Sequence, residues 1–138
     1  PYYSRTMLGS SSRWLWMAGC HVLLAAAFQP QTRQQLEDAV REACSSGGEM
    51  NSWDTSLITD MSYLFRDQGT CNTPIGSWDV SGVTDMSYMF YNASSFNQPI
   101  GDWNVASVEY MYNMFYDAKS FNTATERIIQ RNSVSPFS

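Results

Sequence analysis

The chain has 138 residues, enough for one domain with a modest core. It carries a net charge of −5, and Trp 5, Tyr 8, Phe 7 and Met 8 are many for that length. Between residues 50 and 122, Asp54, Asp60, Asp67, Asp79, Asp85, Asp102, Glu109 and Asp117 stand against only Arg66 and Lys119. That balance repels phosphate backbones and argues against nucleic acid as a partner.

Residues 1–13 form a polar extension rich in Ser and Arg and without an acid. Residues 14–28, Trp14 to Phe28, form an apolar stretch whose only strongly polar member is His21. As a helix it would span roughly 22 Å, short of the ~30 Å hydrocarbon core of a bilayer. Three readings stay open. It is a secretory signal starting at Met7 with Arg13 as its positive flank and Ala25 to Ala27 before the cleavage point. Or it is a short membrane anchor held by Trp14 and Trp16 at the interface. Or it is a buried helix of a soluble core.

Residues 29–49 read as a capping helix. Thr32 followed three residues later by Gln35 fits a capping box, each side chain satisfying the other's free backbone N–H. Leu36, Ala39, Val40 and Ala43 share one face at helical spacing, and Gly47 and Gly48 end the run.

Residues 50–122 contain a 25-residue unit written three times. From Ile75 it reads IGSWDVSGVTDMSYMFYNASSFNQP, from Ile100 IGDWNVASVEYMYNMFYDAKSFNTA, and from Met50 MNSWDTSLITDMSYLFRDQGTCNTP. Trp53, Trp78 and Trp103 fall in register, as do Met61, Met86 and Met111, and Phe65, Phe90 and Phe115. Phe96 and Phe121 form a further column. These columns are the expected core, because a repeat of this period buries each unit's apolar face against its neighbours. Within a unit, Trp78 and Val80 alternate with Asp79 and Ser81, which predicts a short strand. From Val83 onward the apolar spacing is helical, through Met86, Met89, Phe90 and Ala93, with Thr84 and Asp85 at the start. The stretch from Ile100 also fits a leucine-rich pattern through Trp103 and Val105. Asn51, Gly76 and Gly101 open the units and predict a positive φ there. The expected fold is an α/β repeat: a short right-handed leucine-rich-repeat-like solenoid, with one short parallel strand and one short helix per coil. The helices of residues 14–28 and 29–49 precede it. Residues 123–138 break the period and read as a C-terminal cap, with helical turns near Thr125 to Arg131, and a frayed tail.

WDVSGVTDMSYMF followed by SFNQPIGDW resembles the repeat of the BspA-like, mycoplasma-lipoprotein-type family of leucine-rich-repeat-like surface proteins. AFQPQTRQQLEDAV before it is similar to the helical lead-in of such repeats in proteins of unicellular algae. The resemblance covers about residues 27–122. It implies an exported or surface-associated repeat protein engaged in adhesion and interaction, with no catalytic activity and no cofactor. The first unit departs from the pattern: Cys71 stands where Phe96 and Phe121 stand, and Thr55 where Val80 and Val105 stand.

No catalytic set can be assembled, because the single histidine, His21, lies in the apolar stretch. Cys44 closes the capping helix and Cys71 holds an inward position of the first coil. That placement predicts a disulfide in an oxidising compartment, two buried thiols being the alternative. Asn92-Ala93-Ser94 is a glycosylation triplet at the exposed end of the predicted helix. Asp54, Asp79 and Asn104 form a surface column opposite Trp and Val. It is read as a solvated face or, less simply, a calcium ladder, and no metal site is assigned to it. Asn72, Asn97 and Asn122 form another column, expected to bond the neighbouring coil's backbone. Tyr63, Tyr88, Tyr91, Tyr112 and Tyr116 are the candidate contact residues, since a phenol joins a large apolar body to a polar tip. They are read either as contacts for a macromolecule or as rings packed between coils. The expected partners are other proteins, a membrane complex among them, with glycan or calcium as lesser alternatives. The membrane enters through Trp14 to Phe28 if that stretch is retained. The expected location is membrane-associated or secreted, on the non-cytoplasmic side.

Overall fold

The computed structural model describes residues 27–121. The apolar stretch, apart from its last two residues, lies outside them, as do the polar N-terminal extension and the C-terminal cap and tail.

Helix α1 runs Arg33–Ser46. Thr32 is its N-cap and accepts from the Gln35 backbone N–H at 3.2 Å. Gln35 reaches back one residue farther than a standard capping box does, its Oε1 accepting from the Gln31 N–H at 2.8 Å. At the other end Gly47 takes the left-handed conformation (φ 73°), and Gly48 donates to the Ala43 carbonyl at 2.9 Å. The buried face is Leu36, Val40 and Ala43. It is held against the first repeat by the Cys44–Cys71 disulfide (Cα–Cα 5.0 Å) and by Arg33. The Arg33 Nη2 donates to the Ser62 carbonyl, and its guanidinium pairs with Asp60 (3.4 Å) and with Glu37 of its own helix (3.3 Å).

The three units lie one on another, but the strand-plus-helix solenoid expected from the sequence is not what builds them. Among the described residues α1 is the sole helix and there is no strand; only isolated parallel bridges link Asp60 to Asp85 and Asp85 to Tyr110. The accounting of backbone N–H groups gives the reason. At the predicted strand, the Trp78 N–H turns back to the Ile75 carbonyl and the Val83 N–H to the Val80 carbonyl, so this stretch is a pair of turns. A helix over 83–93 would direct each N–H four residues back. Instead Met86, Tyr88, Phe90 and Asn92 donate to Tyr110, Tyr112, Met114 and Tyr116 of the next unit at 2.8–2.9 Å. Met89, Tyr91 and Ala93, between them, donate three residues back. The first unit repeats this, with Met61, Tyr63, Phe65 and Asp67 donating to Asp85, Ser87, Met89 and Tyr91. Each unit is thus a string of β-turns, and in the first two the alternate N–H groups bond to the unit that follows.

That alternation needs left-handed residues, and they are not the ones the sequence suggested. Asn51, Gly76 and Gly101 do not have positive φ. The left-handed positions recur elsewhere at the repeat period: Tyr63, Tyr88 and Asn113, then Asp67, Asn92 and Asp117, with φ from 49° to 62°. Gly76 is required for a different reason, since a Cβ there would lie 2.8 Å from the carbonyl oxygen of Pro99, the last residue of the same unit. Asn51, in the same place of the first unit, uses its amide to bond Ser77.

The inner columns form the core. Met61 and Met86 are fully buried and Met111 nearly so; Phe65, Phe90 and Phe115 stack at 5.2 and 5.4 Å; Phe96 and Phe121 stack at 5.7 Å. Trp53 stacks on Trp78 at 6.1 Å, and Phe28, one period earlier, meets Trp53 edge-on at 5.0 Å. Trp53 and Phe115 are only partly buried, being near the ends of the described stack. Thr55, in the place of Val80, is fully buried and satisfied by the Asp79 carbonyl at 2.9 Å. Trp78 is 3 % exposed and its indole N–H donates to the Met50 carbonyl at 2.8 Å. Trp78→Ala therefore removes both a large buried ring and a bond that ties two units. We expect a loss of about 3–5 kcal/mol in denaturant unfolding; an unchanged midpoint would overturn the core assignment.

Candidate interaction surface

The outward residues of the turn strings form columns as regular as the inner ones. One column is Tyr63, Tyr88 and Asn113; its neighbour is Arg66, Tyr91 and Tyr116. Together these six residues line a shallow cleft of about 460 Å³. Tyr63 and Tyr88 stack at 5.0 Å with ring planes 5° apart, Tyr91 and Tyr116 at 5.1 Å and 11°, and Tyr88 leans toward Tyr91 at 5.8 Å. The Arg66 guanidinium lies over two rings at once, 5.5 Å from the centre of Tyr63 and 5.4 Å from that of Tyr91, and pairs with Asp67 at 3.3 Å.

The structure thus brings Tyr63, Tyr88, Tyr91 and Tyr116 into one surface. Tyr63 and Tyr116 are exposed (44 % and 59 %), while Tyr88 and Tyr91 are half-buried between their neighbours. The rings pack between coils, as one of the two sequence readings has it, and still face solvent. Tyr112 lies outside the cleft lining, beside Tyr110 at 6.0 Å, and both are exposed. Sequence reasoning passed over Arg66, Asn113 and Tyr110. The signal for the first two was present in the register, because Arg66 interrupts a tyrosine column at its first place and Asn113 interrupts another at its last.

Asp54, Asp79 and Asn104 do not line the cleft. Each closes a turn with its own side chain: Asp54 accepts from the Ser56 N–H and hydroxyl (3.1 and 2.6 Å), Asp79 from the Ser81 N–H (3.0 Å), Asn104 from the Ala106 N–H (3.2 Å). Among the described residues, no three His, Cys, Asp or Glu side chains converge as a metal site would require. The Asn72 carboxamide oxygen accepts from the Asn97 backbone N–H at 2.8 Å, the structural role its column suggests. In the glycosylation triplet, the Asn92 amide donates to Asp67 at 2.9 Å and the Ser94 hydroxyl to the Gly69 carbonyl at 3.1 Å. Both polar groups of that triplet bond to the preceding unit.

The Ser56 hydroxyl, its backbone N–H and the Gln29 amide hold the Asp54 carboxyl below its ordinary 3.8. Ser81 does the same for Asp79 through hydroxyl and backbone N–H, partly opposed by the charge of Asp54. Lowered folded values mean that these turns contribute stability above the ordinary carboxylate value and lose it as pH falls through the folded ones. We expect Tm to drop as pH falls below about 4, and to drop less in the Asp54→Asn, Asp79→Asn variant, which keeps the acceptor and removes the charge. Equal acid slopes for the two proteins would refute this.

A family model described as "Mycoplasma protein of unknown function, DUF285" matches residues 34–135. No curated protein and no solved structure matches the chain.

Proposed function

We propose that this chain, a member of the Mycoplasma DUF285 family, is a non-catalytic interaction module that presents an acidic, tyrosine-rich repeat surface to another macromolecule. Membership of the family is plain from the match over residues 34–135; the finer likeness of its repeats to BspA-like surface proteins is part of the proposal. The observation that carries the reading is the cleft of four tyrosines and one arginine on the outer side of the stack. Large aromatic side chains with polar tips, partly exposed and already ordered, are the composition of contact surfaces. Ordering them in advance also lowers the entropic cost of association.

Membrane association and a non-cytoplasmic location belong to the same proposal. They are supported by the apolar run from Trp14 to Phe28 and by the Cys44–Cys71 bond, which suits an oxidising compartment. A second reading, favoured by that same run, makes the chain a structural accessory subunit with its apolar segment in the membrane and its repeats bracing a complex.

The test is the size of the native assembly after gentle detergent extraction, with the intact mass of the chain. We expect migration well above the chain's own mass, and release from the assembly in the Tyr63→Ser, Tyr112→Ser, Tyr116→Ser variant. A wild-type chain that runs alone at its own mass would defeat the interaction reading. If the assembly persists, an intact residue 14–28 segment points to the accessory subunit and its loss to a released module.

A further inference from the structure

Among the described residues, the exposed large hydrophobic side chains are four tyrosines and two that carry no polar tip, Phe28 (41 %) and Leu57 (51 %). Both belong to the start of the stack. Phe28 takes the place one period before Trp53 and meets that ring edge-on at 5.0 Å, and its carbonyl accepts the Asp54 N–H at 2.9 Å. Leu57 stands three residues beyond Asp54, in the turn that the Ile58 N–H closes on the Thr55 carbonyl at 3.0 Å. The register makes Leu57 a departure, because the later units have Gly82 and Ser107 at that place. Trp53 departs as well, being only partly buried where Trp78 and Trp103 are buried. The acids at this edge are already engaged. Asp54 accepts from Ser56 through one oxygen and from the Gln29 amide through the other, and Glu49 accepts from Asn51 and Ser52.

We propose that the edge formed by Phe28, Trp53 and Leu57 is a bilayer-contact surface, seated at the boundary of headgroups and acyl chains, with the later units rising away from it. This rests on the membrane reading above and adds which part of the stack meets the lipid. Continuity supplies the occupant. Phe28 is both the last residue of the apolar run and the first member of the Trp column, so no linker separates the run from the stack. Length supplies the depth. A helix over residues 14–28 would span roughly 22 Å of a ~30 Å hydrocarbon core. A segment too short for its bilayer draws its flanking residues to the interface, the zone that an indole with apolar neighbours favours. Carboxylates held by hydrogen bonds, as those of Asp54 and Glu49 are, enter that zone at less cost than free ones. The disulfide and Arg33 place α1 over another part of the same coil, at Cys71 and Ser62. A second copy of the chain would also cover apolar side chains, but it gives no reason for their standing in the coil that continues the apolar run.

The experiment is NMR of the full chain in phosphatidylcholine nanodiscs, with and without a lipid whose headgroup chelates gadolinium. The readout is relaxation of the backbone amides of Leu57, Gly82 and Ser107, which hold one turn place in three successive units. That relaxation falls with the sixth power of distance, and at a spacing of ~4.8 Å between units we expect a drop of about threefold from each amide to the next. The Phe28→Ser, Leu57→Ser variant keeps the backbone bonds of this edge and removes its apolar surface. It is expected to lower the gadolinium effect at position 57 by about threefold, and Leu57→Ser alone by about twofold. The single variant guards against a folding defect, because the third unit already carries serine at that exposed place. A chain that does not enter the nanodiscs removes the membrane reading. A chain that enters them but relaxes equally at the three places, or in the reverse order, removes this edge alone. So does a gadolinium effect that neither variant changes. Signals of Phe28 and Leu57 that shift with chain concentration, and do not respond to gadolinium, give the edge to a second copy and overturn the proposal.

Discussion

Everything in the repeats depends on one constraint: alternate backbone N–H groups must reach the next unit, and the residues between must turn the chain back. Met61, Tyr63, Phe65 and Asp67 donate forward, as do Met86, Tyr88, Phe90 and Asn92. Extended strands would satisfy the same groups, but their side chains alternate strictly in and out. The turn string instead buries Leu64 and Phe65 of the first unit, and Met89 and Phe90 of the second, as adjacent pairs. The left-handed residues that permit this cost about 1–2 kcal/mol each where they are not glycine. At Tyr63 and Tyr88 that cost is met by a forward hydrogen bond of about 1 kcal/mol together with a stacked ring worth about 0.5–1.5 kcal/mol. Neither gain alone settles the balance; the two together do.

Repetition makes departures from it informative. Where a column is complete, its members serve one another and need no further partner. Where it breaks, the substitute has a separate task. Cys71 breaks the Phe96–Phe121 column and ties the first unit to α1. Thr55 breaks the valine column and accepts a buried place by bonding the Asp79 carbonyl. Arg33 extends the same logic beyond the repeats. The Ser62 carbonyl it takes is the counterpart of the Ser87 and Tyr112 carbonyls, which receive N–H groups from the unit below. A guanidinium from α1 thus stands in for the missing unit and closes the ladder.

Much of this was legible in the register and little of it in the local spacing. The 25-residue period put Trp, Met and Phe in the core, the Tyr residues on the surface and the two cysteines within reach of each other. The type of backbone was not legible. Val83, Met86, Met89, Phe90 and Ala93 fit a helical stripe, yet a run of overlapping β-turns also places side chains three and four residues apart on one side. The choice between them lies in where the N–H groups go, and that is settled by another unit 24 residues away. The left-handed positions were hidden for the opposite reason. Glycine and asparagine are the usual signs of positive φ, and here Gly76 marks a close backbone approach while tyrosine holds the left-handed place. Arg66 was readable as an interruption, but its place over two rings needed the ring positions.

The surface and the ladder are made of the same residues. Tyr63, Tyr88 and Asn113 donate or stand at the left-handed positions that let the stack form, and they also make one column of the cleft. Asp67, Asn92 and Asp117, the second left-handed set, directly follow Arg66, Tyr91 and Tyr116, the other column. A side chain on such a frame cannot drift without breaking hydrogen bonds between units, so the spacing and tilt of the rings are fixed by the fold. A surface of this kind gives up little freedom when it meets a partner, and its selectivity is set by which ring, guanidinium or amide occupies each place. A change in one column member therefore alters two things at once, the surface and the ring stacking that helps to hold the turn string together.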